Sequence, residues 1–370
     1  MKIEENCKAE MVLPGASLDA TLTYFTGRLG FRVETIFPAD APEVAVISGH
    51  GLRLRLDRAV RGDPGTLRLS CNHPALPGDG AREQTAPNGT RIVFANIDPP
   101  VVVPPLRPGL VVTRISGDAP WHAGRAGLLY RDLIPDRLGG RFIASHIRLT
   151  DGGPVPDYVH FHKLRFQMIY CSKGWVKVVY EDQGAPFVMQ AGDCVLQPPR
   201  IRHRVLESSA GMEVVEIACP AAHETHADPA LVLPNARRDA ARDFSGQRFV
   251  RHVASRARWQ AAGAFEQRDL GMAAATLGLA AARVVRVRST PHRVAARHDA
   301  EFHFMFVTAG GMTLSCAGDH PLARGDCCVV PAGMPYAIDA CTPDLEVLEV
   351  LLPGAPHTRQ GGSTMRAPLR

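Results

Sequence analysis

DYVHFHKLRFQMIYCSKG (residues 157–174) and GDCVLQPPRIRH (residues 192–203) are the stretches on which the reading of this chain turns. In the first, side chains alternate with period two, as they do along a strand with two faces. Tyr158, His160 and His162 fall on one face, and Val159 and Phe161 on the other. Two histidines two residues apart on a strand project into the same space. Gln167 begins a further short strand, Gly174 permits the turn after it, and Gly192-Asp193 opens a hairpin that leads to Pro198, Pro199 and His203. His160 and His162 are therefore a candidate pair of ligands for one metal ion. Three imidazoles brought together without a metal repel one another when protonated and lack partners when neutral. The alternative is a metal-free core in which the histidines only hydrogen-bond.

The spacing resembles the two cupin motifs, G(X)5HXH(X)3-4E(X)6G and G(X)5PXG(X)2H(X)3N, over about residues 140–220. Gln167 stands at the usual Glu, Arg200 at the usual Gly and Glu207 at the usual Asn. The resemblance implies a small antiparallel barrel in which His160, His162, Gln167 and His203 hold one divalent first-row transition metal, iron first, with Ni, Mn, Cu or Zn as alternatives. A neutral amide in place of the carboxylate leaves the charge of the ion uncompensated. Such a site favours an anionic chelator: an enolate, β-diketonate, carboxylate or catecholate. It also lacks a ligand carboxylate that could serve as base, so proton abstraction falls to a metal-bound hydroxide or to Glu207, Glu216 or Tyr158. Gln167 can alternatively stand off the metal and orient substrate. Arg200 and Arg202 flank His203 and are candidate clamps for an anionic substrate, against the plainer reading of solvated turn arginines.

The chain repeats itself beyond residue 113. Trp121 with Tyr130-Arg131-Asp132-Leu133 is echoed by Trp259 with Gln267-Arg268-Asp269-Leu270, and FIASHIRL (142–149) by LAAARVVRV (279–287). Gly174 matches Gly310, and QAGDCVLQPP (190–199) matches LARGDCCVVPAG (322–333). Superposed on these marks, His162 falls on His298, Gln167 on His303, His160 on Ala296 and His203 on Tyr336. The second copy is expected to be degenerate, a metal site of altered geometry being the alternative. Cys194, Cys327 and Cys328 read as core residues, not as ligands.

Upstream, the pattern is a strand (9–14), an amphipathic helix (18–29) with Leu18, Leu22, Phe25 and Leu29 on one face, and strands near 31–37, 43–48 and 52–57. LDATLTYFTGRLGFRV (18–33) resembles the βαβββ module of the glyoxalase/vicinal-oxygen-chelate family. The first strand offers only Glu10 as a ligand and the fourth ends in Leu54-Arg55-Leu56-Asp57, so a structural or dimerisation role is expected. The expected fold is mainly β: a small α+β module (1–98), a Pro-rich linker (99–112), a first cupin barrel with the metal site (113–225), a connection (226–256), a second cupin barrel (257–355) and a flexible tail (356–370).

The 34 Gly and 30 Pro fit many turns between short strands. Of 42 Lys+Arg only five are Lys, and they are scattered, so the net charge of +5 is an Arg bias without a nucleic-acid-binding stripe. The start, MKIEENCKAE, reads as neither signal nor transit peptide. Gly271 to Ala282 is too short to span a bilayer. Nine Cys, an odd number with Cys327 and Cys328 adjacent, argue against a disulfide framework. The expectations are a cytoplasmic protein with a small-molecule substrate, no membrane or nucleic-acid partner, and room for a homodimer. The function expected is a metal-dependent dioxygenase; a redox-neutral cyclase, isomerase or lyase, and a non-catalytic binding cupin, are the alternatives.

Overall fold

The computed structural model describes residues 7–72, 82–117, 120–289 and 293–361. Two units divide between Pro100 and Val101. In the first, strand Met11–Pro14, helix Leu18–Gly27 and strands Arg32–Phe37, Val44–Gly49 and Leu52–Asp57 follow the βαβββ order. The first strand lies parallel to the last, with Met11 opposite Leu54. Leu18, Phe25 and Leu29 bury their side chains in one core with Ala45, Ile47, Leu54 and Leu56, which is the helical stripe meeting the alternate residues of a sheet. A further three-stranded sheet, Thr66–Cys71, Glu83–Thr85 and Arg91–Asn96, shares that core through Leu69, Ile92 and Phe94. These polar segments gave no sequence pattern by which to place them.

The second unit holds two jelly-roll barrels in tandem. Each has a seven-stranded sheet and a smaller one, of six strands in the first barrel and five in the second. The repeat marks align in three dimensions. His160 lies opposite His203 in the first barrel, and Ala296 lies opposite Tyr336 in the second. Gly174 and Gly310 occupy the same turn with φ of 68° and 65°, a conformation open to glycine at little steric cost.

The two seven-stranded sheets share one apolar core, in which Phe142 stacks on Phe302 with ring centroids 4.2 Å apart. Their other faces enclose the separate barrel interiors. Strands buried on both faces explain the nearly unbroken apolar runs FQMIYC, CVL, FHFMFV and CCV. Cys194, Cys327 and Cys328 are fully buried in these strands, and all nine cysteines are free thiols.

The barrels also exchange edge strands. Val111–Thr113, ahead of the first barrel, pairs with Cys327–Val329 of the second, and Val250–His252, ahead of the second, pairs with Cys194–Leu196 of the first. Arg131 of the repeated Arg-Asp-Leu is fully buried and donates to the carbonyl of Gly325 in the opposite barrel. The stretch expected to be a flexible tail begins with ordered chain: Thr358–Gly361 is a strand paired with Val294–His298, and the rest of that expectation lies outside the described residues. Among the described residues no helix is long and apolar enough to cross a membrane.

Candidate metal centre

His160 and His162 stand on the strand His160–His162, and His203 begins the strand His203–Ser208 beside it. The pairing of His160 with His203, together with the two-residue spacing to His162, brings three imidazoles together. Their ligand atoms lie within 4.8 Å of one another, the only such group of three among the described residues. Ring centroids are 4.3 Å apart for His160 and His203, 5.3 Å for His160 and His162, and 5.5 Å for His162 and His203.

Each ring is held by a backbone carbonyl. His160 Nδ1 lies 2.8 Å from the Tyr158 oxygen, His162 Nδ1 3.2 Å from that of Glu224, and His203 Nδ1 3.0 Å from that of Ile201. A carbonyl only accepts, so each Nδ1 carries the proton and each Nε2 keeps its lone pair. Burial holds all three imidazoles neutral. It lowers His160, pushes His162 to about 3 with help from His223 and His160, and takes His203 well below its ordinary value with help from His160 and His162. Neutral, oriented rings of this kind fit a first-row metal ion, and carbonyl anchors are its usual outer support.

Gln167 is buried in the strand Phe166–Lys173 and lines the same cavity. Its Nε2 donates to Glu216 Oε1 at 2.5 Å, which leaves the amide oxygen available. Glu216 lines both the inner cavity and a wider one of about 450 Å³ outside it. The remaining candidates do not line the inner cavity. The Tyr158 ring is half exposed and stands beside the site, edge-on to His160 at 5.8 Å between centroids and under the Arg125 guanidinium at 5.4 Å, ahead of the strand that starts at His160. Glu207 is half-buried and faces Lys177 at 3.8 Å. Arg202 is paired with Asp228 at 3.0 Å and lies over the Phe161 ring on the outer face of the strand. Arg200 takes a positive φ of 65° in the turn before His203 and is absent from the cavity lining.

Three residues outside that set, Asp157, Arg125 and Gln197, complete the site. Asp157 is buried; it takes the Arg125 guanidinium on Oδ1 together with the Tyr158 N–H, and the Val205 N–H at 2.9 Å on Oδ2. Arg125 Nη2 in turn donates to His160 Nε2 at 2.7 Å. Arg125 comes from a short 3-10 turn, Arg125–Gly127, more than thirty residues upstream, and nothing in its local sequence marks it. Gln197 lies beside Gln167 across the strand pair; its Nε2 donates to the Tyr180 hydroxyl at 2.9 Å and its buried Oε1 has no partner.

The second barrel lacks this arrangement. Ala296 and Tyr336 replace two histidines, and His303 Nε2 is held by Glu349 at 2.7 Å. Glu349 is also bound by Arg283, so a guanidinium supplies the positive charge beside that carboxylate.

No protein-family model and no curated protein matches the chain. Solved structures do. It is similar to a mutant of Bacillus subtilis oxalate decarboxylase OxdC, with TM-score 0.51 and 13% identity over 71% of this chain and 80% of that one. A structure of the same enzyme that addresses its Mn(II) centres matches to the same extent. The formate complex of Lactobacillus farciminis oxalate decarboxylase gives TM-score 0.50 and 14% identity over 67% of this chain and 88% of that one. At this identity the likeness establishes the bicupin fold of the chain.

Proposed function

We propose that this chain is a metal-dependent cupin enzyme that holds one divalent first-row ion through His160, His162 and His203, with the Gln167 amide oxygen as fourth donor. Its chemistry is redox-neutral, of lyase type, on a small carboxylate substrate. The observation that carries this reading is three carbonyl-anchored imidazoles on a cavity that also holds a tethered guanidinium, Arg125, and a carboxylate, Glu216. Manganese is favoured over the iron expected from the motif, since Mn(II) centres are described for the B. subtilis enzyme; the donor set also accommodates Ni, Cu and Zn.

Bound there, the ion would act as a Lewis acid on a carboxylate or carbonyl oxygen. Arg125, anchored by Asp157, gives up its bond to His160 Nε2 when that lone pair is engaged and turns the freed donor to the substrate carboxylate. Gln167 holds Glu216 by one oxygen and leaves the other to take up or return a proton. Tyr130 lines the same cavities; burial and the Glu216 charge push its phenol up to about 12, so it serves as a hydrogen-bond donor. The N-terminal module, glyoxalase-like in sequence pattern, is read as a metal-free scaffold, because Glu10 is paired with Arg53 at 2.6 Å.

The oxygenase reading keeps one argument, the open positions that a three-histidine site leaves for oxygen. Elemental analysis of protein purified without a chelating column, with an oxygen-electrode screen of carboxylates, diketones and phenols, separates the two. We expect about one equivalent of metal per chain and turnover without oxygen uptake, both lost in His162→Ala. Stoichiometric oxygen uptake would replace this reading with the oxygenase one, and turnover unaffected by His162→Ala would refute both.

A further inference from the structure

The inner cavity of the first barrel has two unlike ends. Its head is polar, made by the three histidines, Arg125, Gln167 and Glu216. Its walls and floor are mainly hydrocarbon: Ile147, Ile169, Val178, Met189, Val205 and Val214 all line it, with Tyr130, Tyr180 and Gln197 as the polar side chains among them. Arg204 also touches the cavity, but it stands between His203 and Val205, and strand alternation sends its side chain to the opposite face. The void measures about 100 Å³. That is smaller than the ~150 Å³ apolar cavity that accepts a benzene ring, and head and hydrocarbon body share it, so the body it admits is short.

A small dianion does not account for this surface. Its second carboxylate, wherever it lies against the methyl groups and out of reach of Tyr130, Tyr180 and Gln197, would lose its water uncompensated, at a cost of several kcal/mol. A hydrocarbon segment in the same place gains about fourfold in affinity per methylene. The floor is also built as part of the barrel core: Ile147, Val178, Met189 and Val214 are nearly inaccessible to solvent and belong to one apolar cluster with Val176 and Met212. A polar occupant would therefore find no water behind these residues.

We infer that the substrate of this centre is amphiphilic: a carboxylate or enolisable head bound at the histidines and Arg125, and a short hydrocarbon body seated on the floor formed by Ile169, Val178, Met189 and Val205. Oxalate-sized dianions are poor ligands for it. The inference rests on the metal–carboxylate reading above and adds the second half of the ligand.

The test is calorimetric titration of the full-length, Mn(II)-loaded protein with acetate, butanoate, hexanoate, octanoate and oxalate. Affinity is expected to rise about fourfold per methylene at first and to level off once the floor is filled, with oxalate weaker than butanoate. Ile169→Ala, which enlarges the floor, is expected to move the plateau to a longer chain, and Met189→Phe, which fills it, to a shorter one. Binding that requires His203 yet is flat across the series, or is tightest for oxalate, overturns this inference and leaves the metal–carboxylate reading in place. If no member binds the loaded protein and His203→Ala changes nothing, the metal–carboxylate reading falls and takes the inference with it.

Discussion

Gln167→Glu restores the carboxylate that the motif usually carries, and the structure gives its consequence a size. In the native chain the Gln167 amide donates to Glu216 Oε1 at 2.5 Å. A carboxylate at the same place brings two negative charges together in a buried strand pair. At an effective dielectric of about 20 they repel by about 7 kcal/mol at that distance, and by about 4 kcal/mol after relaxing to ~4 Å. The metal-free variant is therefore expected to lose about 4 kcal/mol of stability, a large part of a typical domain's total. A divalent ion lies between like charges favourably, so Mn(II) is expected to recover most of the loss and to bind the variant more tightly than the native chain. Gln167→Met is the control: it leaves Glu216 without its donor, costs about 1.5–3 kcal/mol, and is not rescued by metal. Urea denaturation of the three proteins in EDTA and in excess Mn(II) measures all of this. A Gln167→Glu protein within 1 kcal/mol of native in EDTA, or one indifferent to metal, would refute the amide–carboxylate contact and the place of Gln167 at the metal.

Three further outcomes are expected. Arg125→Met removes a charge-assisted hydrogen bond to the substrate head, so affinity for acetate in the Mn(II)-loaded protein falls about tenfold or more, while metal affinity, freed of competition at His160, does not fall; loss of metal binding would contradict the assignment. Burial alone would raise the Glu349 carboxyl, but His303 and Arg283 outweigh it and hold it at about 2, below its value of 4.5 in the unfolded chain. Glu349 thus contributes about 3 kcal/mol above pH ~4.5, and this is lost as the pH falls toward 2. Glu349→Gln should be less stable than native near neutrality by about that amount, the gap in urea midpoints closing through that window; a gap independent of pH refutes it. A methyl group on Gly310 would meet the Leu345 backbone at 2.7 and 2.8 Å, whereas one on Gly174 mainly meets the Ser209 hydroxyl, a side chain that can turn away. Gly310→Ala should therefore lower the thermal midpoint more than Gly174→Ala does, and equal effects would refute this difference between the two turns.

Two kinds of information were separable in this chain. Period-two alternation and the spacing from His160 to His203 are local, so the strands, the three histidines and the repeat could be read from the sequence. Likewise, the helix stripe Leu18, Leu22, Phe25 and Leu29 needed only a period of 3.6. Alternation says nothing of Tyr158, which lies before the strand begins at His160, and neighbours in sequence do not give the neighbours in space of Arg202 and Glu207, which are Asp228 and Lys177. Arg202 turns to Asp228 because the turn before His203 points it outward, which no spacing rule records.

What the sequence determined by itself is the set of imidazoles, because two residues along a strand is a fixed direction in space. What only the tertiary structure decided is their company. Arg125 and Asp157 meet across thirty-two positions, Glu216 reaches Gln167 through strand pairing, and the hydrocarbon walls and floor are assembled from six strands. Long-range pairing of this kind is set by how sheets close into a barrel, and the local sequence of any one strand carries no mark of its partners.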